Sequence, residues 1–141
     1  MKICQLSIFL ENKVGVINDV VATLGSNGVN MKAFSVAQAG EFGIMRLIVD
    51  DVESAVAVLQ EANYKVSKTD VIRIKVPNVA GGLSKVMEVL SSENIFIEYM
   101  YAYSEREDAN VVFRPSDADR CKEILEENRE VFFEDNHLYR F

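Results

Sequence analysis

Histidine is almost missing from this chain: His137 is the single one in 141 residues. A catalytic or metal-binding histidine needs partners. Its neighbours Glu134 and Asp135 are acidic but share a terminal segment with it, so an exposed tail residue is expected. No paired metal-ligand spacing occurs, and no metal or cofactor is expected. Cysteine is nearly as scarce. Cys4 and Cys121 stand at unrelated places and read as reduced, mostly buried thiols of a cytoplasmic protein, because compartment governs disulfides. No apolar run is long enough to span a bilayer. The first residues lack a signal-peptide core followed by a small-residue cleavage site and read as a strand. Positive charge is short too: 15 Lys and Arg face 22 Asp and Glu, for a net charge of -7. Phosphates need a basic footprint, so nucleic acid and anionic membrane are not expected as partners. Ser7 and Ser84 have no histidine base in the pattern, which leaves nucleophilic catalysis without support.

What is present is a repeat. A shift of 66 residues lays Asn12 on Asn78, Gly15 on Gly81, Ile17 on Leu83 and Val20 on Val86. The same shift lays Leu24 on Leu90, Asp51 on Asp117 and Leu59 on Leu125. A constant offset over most of the chain means two copies of one unit, divided as 1–69 and 70–141. Units of about 70 residues bury little surface alone, so each is expected to pack on the other or on another chain. Hydrophobic residues make up 49% of the sequence, which disfavours disorder.

Within the first copy, residues 3–10 alternate as a strand. After a break at Asn12 to Gly15, Ile17, Val20, Val21 and Leu24 recur at helical spacing. Residues 31–38 and 43–49 read as a hairpin around Ala39–Gly40–Glu41. Asp50 reads as the cap of a second helix, with Glu53 completing a capping box, and a strand follows at 64–69. The second copy repeats the order: strand 70–76, a helix on Leu83, Val86, Met87 and Leu90, then strands 95–103 and 110–114. Ser116 takes the cap position, a helix runs through Cys121, Ile124 and Leu125, and a closing strand is expected at 131–134, with 137–141 extending it. The run Glu105–Arg106–Glu107–Asp108 reads as a solvated hairpin tip. The order β-α-β-β-α-β, twice, is the split βαβ arrangement. The fold class is therefore α+β: two ferredoxin-like βαββαβ units packed side by side, with antiparallel sheets and helices on one face.

Both loops after the first strand of a copy carry glycine at the entry to a helix. The amides at such an N-terminus favour an anion such as a carboxylate, and asparagine supplies both a donor and an acceptor. Turn formation alone also selects Asn and Gly. The pattern strand–Asn12-Lys13-Val14-Gly15-Val16-Ile17–helix–Gly28-Val29-Asn30-Met31–strand resembles the ACT domain, a small regulatory domain family. The resemblance covers nearly the whole chain as two tandem units. It implies a non-catalytic regulatory protein that binds a free amino acid at the interface of its units and signals to a metabolic enzyme or to another copy of itself, as a homo-oligomer. The ligand-binding positions it implies are Asn12, Val14, Gly15, Val16 and Asn30, with Asn78, Ala80, Gly81, Gly82 and Leu83 in the second copy. Val14 and Ala80 replace the proline usual in the family, and Asn30 aligns with Phe96. The first loop is therefore expected to be the better binder. A pure assembly module with vestigial loops is the alternative, and a small enzyme a weaker one. An acylphosphatase-like activity would want an arginine in the loop, and residues 11–16 and 77–82 contain none. Tyr99, Tyr101 and Tyr103 share one strand face with Ile97, opposite a small-residue counterpart in the first copy. They read as packing against another subunit or as a ligand wall.

Overall fold

The alternation and helical spacings of the sequence are realised in the computed structural model, which describes residues 1–106, 108–133 and 139–141. The expectations for Glu107, Glu134, Asp135 and His137 lie outside the described residues. The elements are β1 (Lys2–Glu11), α1 (Val16–Ser26), β2 (Met31–Ala39), β3 (Phe42–Val49), α2 (Val52–Glu61), β4 (Lys65–Pro77), α3 (Gly82–Ser92), β5 (Ile97–Glu105), β6 (Asp108–Pro115), α4 (Ala118–Glu127) and α5 (Arg129–Phe133). No helix among the described residues is long and apolar enough to cross a membrane.

The chain divides into two compact units, Cys4–Thr69 and Asp70–Phe141 with Met1–Ile3. β4 runs unbroken through the division. In the Cys4–Thr69 unit the strand order is β2-β3-β1-β4. β1 pairs antiparallel with β3 (Leu6 opposite Leu47), and β3 with β2 (Leu47 opposite Phe34). Leu6, Ile8, Met45 and Leu47 point to one face and pack with Val20 and Leu24 of α1 and Ala55 and Leu59 of α2. The helices cover that face alone, because successive strand residues alternate sides.

The Asp70–Phe141 unit orders its strands β4-β6-β5, with Ile72 opposite Phe113 and Met100 opposite Phe113. Ile72, Ile74, Val111 and Phe113 meet Val86 and Leu90 of α3 and Cys121 and Ile124 of α4. Burial and the nearby Asp117 push the Cys121 thiol up to about 12. A raised acid pKa stabilises the fold below the thiol's unfolded pKa and is lost as pH rises from about 9 towards 12. Iodoacetamide at pH 8 is therefore expected to spare Cys121 until the protein unfolds. Peptide mass mapping with and without urea checks this, and alkylation of Cys121 in the folded chain would refute it.

Two local expectations are corrected. The caps of α2 and α4 are Asp51 and Asp117, one residue beyond Asp50 and Ser116. Their carboxylates accept from the amides of Ser54 (3.0 Å) and Arg120 (2.9 Å). Asp50 and Ser116 instead clasp the start of β2 and β5: the Asn30 amide donates to Asp50 Oδ1 (3.0 Å) and the Phe96 amide to Ser116 Oγ (3.3 Å). Second, the strand expected at 131–134 is not formed: residues 129–133 are α5, with Phe132 fully buried. The counterpart of Tyr64-Lys65-Val66 is Tyr139-Arg140-Phe141, so the offset widens from 66 to 75 after α4. Tyr64 and Val66 pack on one core, Tyr139 and Phe141 on the other. Arg140 exchanges two backbone hydrogen bonds with Lys75 (2.7 and 3.0 Å), and the Met1 carbonyl accepts from the Arg73 amide at 2.7 Å. Both chain ends thus supply the edge that the missing strand would have paired, which places Met1–Ile3 with this unit.

Candidate functional site

The two glycine loops have one backbone. Gly15 (φ 91°) and Gly81 (φ 81°) are the N-caps of α1 and α3, both left-handed, a conformation costly for other residues. The amide of Lys13 donates to the Glu11 carbonyl and that of Val79 to Pro77, each at 2.9 Å. The amide of Val16 donates to Lys13 (3.4 Å) and that of Gly82 to Val79 (3.0 Å). The repeat is therefore conformational as well as sequential. Neither helix has a side-chain cap; in α1 the Val16 amide is taken by the loop, while those of Ile17 and Asn18 have no acceptor among the described residues and are left for an external one.

Their surroundings differ. In the Cys4–Thr69 unit the loop borders a cleft of about 320 Å³ lined by Leu10, Asn12, Val14, Ile17, Val36, Gln38 and Gly43, with Glu11 and Lys13 at its margin. Asn12 spends its amide hydrogens on the β2–β3 turn, donating to the carbonyls of Gly40 (2.8 Å) and Phe42 (3.2 Å). Its Oδ1 lies beside Gly43, where a Cβ would come within 3.1 Å of it. Gly43 thus makes room for Asn12 at the cleft wall. Val14 is fully exposed. Lys13 and Glu11 form an ion pair at 2.6 Å, which holds the Glu11 carboxyl below and the Lys13 ammonium above its ordinary range. The two charges offset each other, leaving the cleft without a net local charge from this pair.

On the other side of the loop a hollow of about 340 Å³ is lined by Phe9, Val16, Asp19, Asn63, Tyr64 and Lys65 among others. Burial, with Asp19 nearby, raises the Tyr64 hydroxyl pKa. In the Asp70–Phe141 unit the counterpart of Tyr64 is Tyr139, which is buried and donates its hydroxyl to the Gly82 carbonyl at 2.8 Å. A Cβ on Gly82 would lie 2.3 Å from the Pro77 oxygen, so this helix start is pressed against the end of β4.

Of the expected residues, Asn12 and Val14 line the cleft, Gly15 and Val16 form the helix entry beside it, and Asn30 lies elsewhere. Asn30 sits at the start of β2, whereas Gln38 at its other end pairs with Gly43 beside the loop. Asn12 and Asn30 are separated by the length of a strand and do not converge within one unit. Asn78, Ala80 and Gly81 are exposed, Gly82 is buried and Leu83 half-buried against the core. Sequence reasoning missed Val36, Gln38 and Gly43. They reach the loop only through strand register, which no local pattern reveals.

A family model described as the ACT domain pair matches residues 1–141. The crystal structure of protein BT0572 from Bacteroides thetaiotaomicron is similar, with 45% sequence identity and a TM-score of 0.87 over 92% of this chain and 90% of that one. The regulatory subunit of aspartate kinase from Thermus thermophilus, in a ligand-free form, shares the fold at 15% identity, with a TM-score of 0.67 and 92% of each chain covered. That of Thermus flavus does so at 14% identity, with the same TM-score and coverage. Among curated proteins the chain has no match.

Proposed function

Because the chain belongs to the ACT domain pair family, we propose that it is a non-catalytic regulatory protein that binds a free amino acid at the β1–α1 loop of its Cys4–Thr69 unit. The observation that carries this reading is the cleft at an uncapped helix entry, with Asn12 fixed in its wall. The first-turn amides of α1 offer hydrogen bonds to a carboxylate. Asn12, its amide hydrogens already engaged, keeps Oδ1 to accept from an ammonium. Ile17, Val36 and Leu10 offer apolar contact, and Gln38 a polar one, to the ligand's side chain. A second ACT unit closes the open side, and Asn30 reaches a ligand only across such a contact. Binding acts by favouring one arrangement of units over another, which is read by a partner enzyme or by self-assembly.

Thermal unfolding with each of the twenty amino acids tests the proposal. A ligand at a hundred times its dissociation constant adds about 2.7 kcal/mol of apparent stability. Gly15→Asp is expected to remove the shift by crowding and carboxylate repulsion. A Cβ there meets nothing within 4 Å, and aspartate tolerates the left-handed backbone better than most residues, so the fold stands. No shift with any amino acid would leave the assembly-module reading in its place.

A further inference from the structure

Three branched aliphatic side chains reach the cleft beside the first loop from three different elements: Leu10 of β1, Ile17 of α1 and Val36 of β2. Leu10 is packed into the core, but Ile17 and Val36 are each 46% exposed. They hold apolar area in water that a ligand side chain would cover, and covering such area is favourable. Val36 stands on the helix side of β2 opposite Met45, and Gln38 follows on the same face opposite Gly43. A strand rises about 3.3 Å per residue, so Gln38 lies roughly 7 Å beyond Val36. The apolar wall therefore gives way along β2 to a neutral amide, not to a charge.

Of the residues lining the cleft only Glu11 and Lys13 are charged, and they are paired with each other at 2.6 Å. A charged ligand side chain would have to take one of them and leave the other unpaired, so its charge gains no net partner. It would also give up water against Ile17 and Val36, which costs a charged group far more than an apolar one. The cleft volume, about 320 Å³, is at the small end of the roughly 300–1,000 Å³ of ligand pockets. That size suits a short branched chain better than an indole or phenol ring. The wall is particular to this unit: at the repeat positions of Val36 and Gln38 the second copy has Ala102 and Ser104.

Resting on amino-acid binding at the β1–α1 loop, we infer that the ligand is a neutral amino acid with a branched aliphatic side chain (valine, leucine or isoleucine) and that Ile17 and Val36 select it. The backbone groups of the ligand engage the α1 entry and Asn12, and its side chain lies against Ile17 and Val36. Polar and charged amino acids share the first contact and lose by the second.

Isothermal titration calorimetry of the full chain with matched amino acids tests this. Each methylene removed from the ligand, as from isoleucine to valine, is expected to weaken binding about fourfold, and alanine is expected to bind about fiftyfold more weakly than isoleucine. Aspartate and asparagine, which match leucine in shape, are expected to bind about thirtyfold more weakly than leucine or worse. Val36→Ala is expected to narrow the preference for isoleucine over alanine about fourfold, a ratio that a general weakening of the site does not move. Aspartate, asparagine or lysine binding as tightly as leucine, and losing that binding in Gly15→Asp, overturns this inference and keeps the loop as the site. A preference unchanged in Val36→Ala overturns it as well. No binding by any amino acid removes the loop reading itself, and this inference with it.

Discussion

Replacing Gly82 by alanine is expected to destabilise the Asp70–Phe141 unit by about 3 kcal/mol, at the upper end for overpacking. The added Cβ would stand 2.3 Å from the Pro77 oxygen, 3.3 Å from its Cγ and 3.4 Å from its carbonyl carbon. None of these atoms is the tip of a flexible side chain, and proline has a fixed φ. Relief requires moving the end of β4 or the first turn of α3, and the latter also holds the Tyr139 hydroxyl. The first copy tolerates Val16 at this place, with Glu11 where the second copy has Pro77. Gly25→Ala in α1 is the control. A Cβ there meets nothing within 4 Å, and alanine gains up to about 1 kcal/mol over glycine inside a helix. Urea titration by tyrosine fluorescence measures both, since Tyr99, Tyr101, Tyr103 and Tyr139 all lie in the Asp70–Phe141 unit and Tyr64 alone in the other. Equal midpoints for the two variants would refute the close-approach account.

Removing Tyr139, Arg140 and Phe141 is expected to cost about 4 kcal/mol, the scale of losing a buried aromatic. Tyr139 is 4% exposed. Its ring stands 5.6 Å from that of Phe132, and Phe141 meets the same ring edge-on at 5.0 Å. The deletion uncovers Phe132, frees the Gly82 carbonyl and breaks both Arg140–Lys75 backbone bonds. Tyr139→Phe keeps the packing and loses one hydrogen bond, for about 1 kcal/mol. The expected order of urea midpoints is wild type, then Y139F, then the deletion. A deletion that unfolds with the wild type would show that these residues are an ordinary frayed end.

The reading from sequence succeeded where the physics is local. Helical spacing placed α1, α2, α3 and α4, and the glycine loops matched down to their hydrogen bonds, because Gly15 and Gly81 impose the same left-handed entry. The caps slipped by one residue because adjacent candidates, Asp50–Asp51 and Ser116–Asp117, compete for one role. Only backbone geometry decides which of them caps the helix. The last strand failed because the constant offset was carried past α4, where the second copy inserts α5. Val131 and Phe132 fit a strand or a helix equally well as a short apolar run, and Tyr139-Arg140-Phe141 is too brief to announce itself. The cleft residues Val36, Gln38 and Gly43 depend on strand pairing, and Asn12 turned inward to clamp a hairpin that lies nearly thirty positions away in the chain. Such long-range partners leave no periodic trace.

The most direct test of the central claim is an amide-resolved NMR titration of the full chain with the amino acid that raises its melting temperature. The proposed site predicts the largest shift changes at the amides of Gly15, Val16 and Ile17 and at the side-chain amides of Asn12 and Gln38. Gly81, Gly82 and Leu83 are expected to move little. Shifts confined to the second loop, or to residues remote from both loops, would contradict amino-acid binding at the β1–α1 entry.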